Sequence, residues 1–122
     1  MATSFSVGRS QEGDIFVLAL NGYLDAHTAP QFEKVIQEEF DHGHYRLLVD
    51  CAALTYISSA GLGVFMSFIE DLREKGGDLK ICAATEAVGQ VFEILGFSEL
   101  FDILPDRAAA LQRFAGVSTA EA

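Results

Sequence analysis

The chain has 122 residues, half of them hydrophobic, with 8 basic and 18 acidic side chains and a net charge of −10. That is enough for one domain with a real core, and it argues against a disordered chain. The acidic balance argues against nucleic acid and against anionic membrane surfaces, both of which are bound through Lys and Arg.

No uninterrupted apolar stretch reaches membrane-spanning length, and residues 1–10 carry no charged region followed by an apolar one. Cys51 and Cys82 each lie inside an apolar run. They read as reduced, buried thiols, which places the chain in the cytoplasm.

Residues 5–9 read as a short strand, and Gln11-Glu12-Gly13-Asp14 as a turn. Residues 15–20 form a second strand, ended by Asn21-Gly22, and a hairpin pairs the two. Thr28-Ala29-Pro30-Gln31 matches a capping box, with Pro30 in the first helical turn. Phe32, Val35, Ile36 and Phe40 follow on one helical face, and Gly43 closes that helix. Residues 46–51 are apolar enough for a central strand.

A second helix runs from about Ser59 to Lys75, with a core stripe of Leu62, Phe65, Met66, Ile69 and Leu72. Val64 and Phe68 lie beside that stripe. Gly76-Gly77-Asp78 ends the helix, and residues 79–83 form a third inner strand. Strand, helix and strand fit one right-handed parallel crossover. Thr85 caps a helix carrying Val88, Val91, Phe92 and Leu95, which Gly96 terminates. Residues 100–104 read as a short edge strand, and Pro105-Asp106 opens a last helix with Ala108, Leu111 and Phe114. The whole is a single α/β domain over residues 1–116, with a frayed tail at 117–122.

The chemistry concentrates where Tyr56-Ile57-Ser58-Ser59-Ala60-Gly61-Leu62-Gly63 hands a strand over to a helix. A helix start offers unpaired N–H groups and partial positive charge, so it caps on a serine or holds an anion. Ser58 and Ser59 are therefore candidates for phosphorylation. A serine hydrolase fits poorly, because Ile57 stands where a nucleophile elbow around Ser59 needs glycine. Asp25 and His27 are one residue apart and make a poor base and orienter.

Gly61-Leu62-Gly63 is half a dinucleotide fingerprint, with Met66 where the third glycine belongs, and no phosphate-binding Gly-x4-Gly-Lys-Ser/Thr loop occurs. His42-Gly43-His44 lacks companion ligands and is a poor zinc signature. No cofactor or metal is expected. Asp25 and Asp50 each follow or close an apolar strand, and both are expected on the rim that carries Ser59. Turn capping alone accounts for either of them.

These motifs together resemble an anti-sigma-factor antagonist of the STAS family, over about residues 5–115. Gly22-Tyr23-Leu24-Asp25 is similar to the family's Gly-x-Leu-Asp, and Thr28-Ala29 follows. Leu48-Val49-Asp50 leads to the serine stretch, where the family pattern is Asp-Ser-Ser/Thr-Gly-Leu-Gly. Gly76-Gly77 and Leu95-Gly96-Phe97 also fit. Aligned without a gap on Gly61-Leu62-Gly63, the family's phosphorylated serine falls on Ser59. Ser58 stands in place of the usual Asp and is a second-choice site, and Ala60 replaces a hydroxyl residue.

The resemblance implies a mixed sheet of four to five strands with about four helices, and a non-enzymatic switch. It implies that the unphosphorylated chain binds an anti-sigma factor that is also a serine kinase, which releases a sigma factor. Phosphorylation ends the complex and a metal-dependent serine phosphatase resets it. Asp25, Ser58, Ser59, Gly61, Leu62 and Gly63 would form the partner site, with Val64 and Phe68 as its apolar part. The alternative is a STAS-type scaffold or sensor module not regulated at Ser59.

Overall fold

Strands β1 (Phe5–Glu12) and β2 (Ile15–Leu24) form an antiparallel hairpin that turns on Gly13 at φ 63°. The computed structural model describes residues 5–115, so the predicted tail lies outside the described residues. Helix α1 (Ala29–Asp41) carries the chain to β3 (Arg46–Ile57), which pairs parallel to β2. Helix α2 (Ser59–Glu74) leads to β4 (Asp78–Cys82), parallel to β3. Helix α3 (Glu86–Ile94), a 3-10 turn (Phe97–Glu99), β5 (Ile103–Leu104) and α4 (Arg107–Phe114) complete the described chain. The result is a five-stranded mixed sheet in the order β1-β2-β3-β4-β5, with four α-helices.

Alternation along each strand divides the core between the two faces of the sheet. On one face α1, α2 and α3 bury Phe32, Phe65 and Phe92 against Leu18, Val49 and Ile81. On the other, α4 packs Ala110 and Phe114 against Val17, Leu48, Cys82 and Leu104. Cys51 belongs to the first cluster and Cys82 to the second, so the two free thiols sit on opposite faces. Burial pushes the Cys82 thiol up to about 12, and that of Cys51 higher still, so both stay protonated.

Several expectations need correcting. The second and third strands run on to Leu24 and Ile57, past the predicted ends at residues 20 and 51. Two register shifts let β3 absorb extra residues while Cys51, Leu54 and Ile57 all remain buried. A simple period-2 reading breaks at such bulges. Asp50 is therefore inside β3, opposite Cys82, and away from the rim. Its carboxylate accepts from Arg107 of α4 at 2.9 Å and from the Ala52 amide at 2.9 Å, which ties down the covering helix.

The predicted capping box at Thr28 also fails. The backbone of Thr28 is already helical and its side chain makes no cap hydrogen bond. The predicted edge strand shrinks to Ile103–Leu104, because Phe97 and Phe101 turn inward through the 3-10 turn. Met66 is exposed rather than core. The caps at Thr85 and Asp106 are present, accepting from the amides of Val88 and Ala109.

Candidate partner-binding site

The parallel pairing of β2 with β3 sets Leu24 opposite Ile57, so the residues after each strand emerge side by side. The Ser58 amide donates to the Leu24 carbonyl at 2.9 Å and staples the two exits together. Asp25 and Ser59 therefore share one rim of the sheet, as the sequence reading expects.

The Asp25 loop is held by its own polar groups. The carboxylate accepts from the amides of His27 at 2.9 Å and Thr28 at 3.1 Å. The Thr28 hydroxyl, buried beneath the loop, accepts from the Asp25 amide at 2.9 Å and donates to the Tyr23 carbonyl at 2.8 Å. This is the role of the Asp-x-x-Thr spacing, where the sequence suggests a turn at Asp25 but a helix cap at Thr28.

Partial desolvation raises the Asp25 pKa, but the hydrogen bonds from Thr28 and His27 outweigh it and hold the carboxyl below its usual range. The stabilisation of the loop by this carboxylate is present above the ordinary Asp value and is lost as pH falls through the lower folded value. In an NMR titration the His27 and Thr28 amides should therefore move together, with a midpoint below that of an unperturbed Asp. A midpoint at or above the ordinary value would contradict this hydrogen-bonded loop.

The two serines differ in their duties. Ser58 is the N-cap of α2, half-buried, and its hydroxyl accepts from the Gly61 amide at 3.4 Å. Its carbonyl accepts from the Leu62 amide at 3.0 Å. Ser59 is the first helical residue and is exposed, and no hydrogen bond to its hydroxyl occurs among the described residues. The amides of Ser59 and Ala60 are the ones that such a cap leaves without an intrahelical partner. No acidic side chain stands in the first turn of α2 to neutralise them. An anion on Ser59 would meet partial positive charge.

Gly61 and Gly63 do different work. A Cβ on Gly61 would lie 2.7 Å from Leu24 Cγ and 3.1 Å from Ile57 Cγ1, so only glycine lets the start of α2 close down on both strand ends. Gly61→Ala should cost about 1–3 kcal/mol through overpacking, read as a lowered denaturant midpoint. An unchanged midpoint would contradict that close approach. Gly63 meets nothing within 4 Å and faces outward.

Val64 and Phe68 do not supply the apolar surface expected of them. They are 5% and 7% exposed and pack in the main core, because α2 sinks a broad apolar face between α1 and the sheet. Leu62 is likewise buried. What α2 shows to solvent beside Ser59 is Ala60, Gly63, Met66 and Ser67. The exposed apolar side chains that the sequence reading missed at this rim are Tyr23 and Tyr56, each 52% exposed.

The histidine pair is structural. The His44 ring stacks on Phe16 at 3.7 Å and its Nδ1 lies 2.7 Å from Glu39 Oε1. No group of metal-ligating side chains is found among the described residues. No helix among them is long and apolar enough to cross a membrane.

A five-stranded mixed sheet with a serine-started helix beside an Asx loop defines a single α/β domain. The chain belongs to the STAS domain family, whose family model matches residues 9–110. It is 35% identical over 100 residues to BtrV of Bordetella bronchiseptica, described as a candidate anti-sigma factor antagonist, covering 82% of this chain and 86% of that one. Its fold matches an anti-sigma factor antagonist from Mycobacterium paratuberculosis with a TM-score of 0.85 at 22% identity, over 92% of this chain and 95% of that one. It also matches the Bacillus cell fate determinant SpoIIAA in its phosphorylated form, with a TM-score of 0.68 at 19% identity, over 89% of this chain and 97% of that one.

Proposed function

We propose that this chain is an anti-sigma-factor antagonist switched by phosphorylation at Ser59. Unphosphorylated, it binds an anti-sigma factor that is also a serine kinase, and so frees a sigma factor in the cytoplasm. Phosphate on Ser59 ends that complex, and a metal-dependent serine phosphatase restores it. The chain itself supplies a surface and a hydroxyl acceptor, and it catalyses nothing.

The observation that carries this reading is the division of labour between the serines. Ser58 serves as the cap, and Ser59 is exposed at the same helix start, with no hydrogen bond to its hydroxyl among the described residues. The similarity to BtrV supports the antagonist role. Asp25 lies beside the acceptor serine and shapes the rim that the kinase must approach.

The test is to incubate the chain with ATP and the ATPase-type anti-sigma factors of its source organism, then map phosphate by mass spectrometry. Phosphate is expected on Ser59, and none on a Ser59→Ala variant. Phosphate confined to Ser58 would overturn the assignment. None from any such kinase would favour a scaffold module not regulated at Ser59.

A further inference from the structure

We infer that Tyr23 and Tyr56 form the anchor by which the partner grips this chain, so that the partner straddles the ends of β2 and β3 instead of resting on α2 alone. This rests on the proposed function and specifies the surface that goes with it.

The two rings sit opposite each other in the β2–β3 register, with centroids 6.5 Å apart and planes at 90°. Each is one residue before the buried Leu24 or Ile57, so the tyrosines point to the opposite face of the sheet from α1 and α2. On that face α4 packs over Val17, Leu48, Cys82 and Leu104, nearer the other end of β2 and β3. The tyrosine pair lies beyond it and remains half open to solvent. Eight of the ten phenylalanines, by contrast, are buried.

An exposed, mutually braced pair of rings loses little entropy on binding, and tyrosine is among the residues that dominate interface energetics. The other exposed apolar side chain near Ser59 is Met66, amid small residues on α2. The exposed residues flanking the rings along β2 and β3, Asn21, Ala52, Ala53 and Thr55, are uncharged, and the carboxylate of Asp50 farther back on β3 is paired with Arg107. In a chain of net charge −10, that patch fits an apolar surface on the partner protein rather than a basic one. Ser58 and Ser59 directly follow Ile57, so a phosphate on Ser59 would enter the margin of the same dry contact.

The experiment measures affinity for the kinase identified by phosphorylation at Ser59, held with ADP so that the serine stays unmodified. Tyr23→Ser and Tyr56→Ser should each weaken binding about tenfold or more. Tyr23→Phe and Tyr56→Phe keep the rings and should stay within about threefold. Ile94→Ser, at an 81% exposed position on α3, should bind as the unmodified chain does. Thermal melts confirm that each variant folds.

Nitration by tetranitromethane gives a second readout that needs no substitution. Tyr23 and Tyr56 should be modified in the free chain and protected in the complex. Serine variants that fold and bind normally, or rings that remain reactive in the complex, would overturn the inference while leaving the Ser59 switch intact. If the unmodified chain is phosphorylated by no kinase and binds none, the function and the anchor both fall. Protection of the rings in the free chain, through a dimer that the serine variants abolish, would assign the face to a second copy and overturn the inference.

Discussion

Phosphorylation of Ser59 is expected to weaken binding to the proposed anti-sigma kinase by about a hundredfold or more, with no change of fold. A phosphoserine adds roughly −1.5 to −2 charges and three strongly hydrated oxygens. Inside this domain that group should be tolerated. The start of α2 offers the amides of Ser59 and Ala60, and no carboxylate stands in its first turn. The helix end contributes about 0.3–1 kcal/mol in favour of the anion, so the melting temperature should hold or rise slightly. At a docked interface the balance reverses. Stripping water from an unpaired anion costs several kcal/mol, and each 1.4 kcal/mol is about a factor of ten in affinity.

The comparison needs three proteins, the unmodified chain, the phosphorylated chain and Ser59→Ala, titrated against the kinase by calorimetry. The alanine variant should bind like the unmodified chain and resist the switch. Ser59→Asp carries less charge on a shorter arm and should weaken binding less than phosphate does. Equal affinity of the phosphorylated and unmodified chains would sink the charge mechanism. A cooperative melt lost on phosphorylation would instead point to a change of fold.

The pattern of strands and helices was legible because apolar periodicity is strong in this chain. Ile15, Val17, Leu18 and Leu20 are buried as a strand buried on both faces should be. Leu62, Phe65, Ile69 and Leu72 are buried at helical spacing. The handover from strand to helix at Ser58 and Ser59 was also readable, because a cap serine has a local mechanism.

The strand ends were not readable, and the site suffered for it. The bulges between β2 and β3 are tertiary facts, and without them Tyr56 falls in a loop instead of on a sheet face. Asp50 reads as a rim carboxylate only if β3 stops at residue 51. Its partner Arg107 lies on the last helix, far along the chain. Val64 and Phe68 were misplaced because a narrow helical stripe was assumed. The helix α2 is covered broadly enough to bury positions on both sides of that stripe. Both errors shifted the predicted apolar contact from the strand ends to the helix.

The largest effect on stability is expected from Phe65→Ala, at about 3–5 kcal/mol. Phe65 is fully buried in α2, six positions along from Ser59. Its ring meets Phe32 of α1 at 5.2 Å, and Phe92, Phe97 and Phe101 at 6.0–6.1 Å, all edge-on. One side chain thus joins three elements to α2, and its neighbours are rings whose stacked order resists collapse into a cavity. Phe92 and Phe97 are stacked at 5.3 Å, as are Phe97 and Phe101 at 4.8 Å. Edge-to-face pairs add about 0.5–1.5 kcal/mol beyond area burial, so several are lost together with the ring. Against a typical stability of about 5–15 kcal/mol, much of the margin goes. The urea midpoint should fall by about 2 M, for a slope near 2 kcal/mol/M. Phe65→Leu refills most of the volume and should cost markedly less, though it forfeits the ring contacts. Because the same helix presents Ser59, partner binding by Phe65→Ala should decline with its folded fraction, whereas Ser59→Ala leaves the midpoint in place. If Phe65→Ala left the urea midpoint unmoved, α2 would have to be held by something other than this cluster.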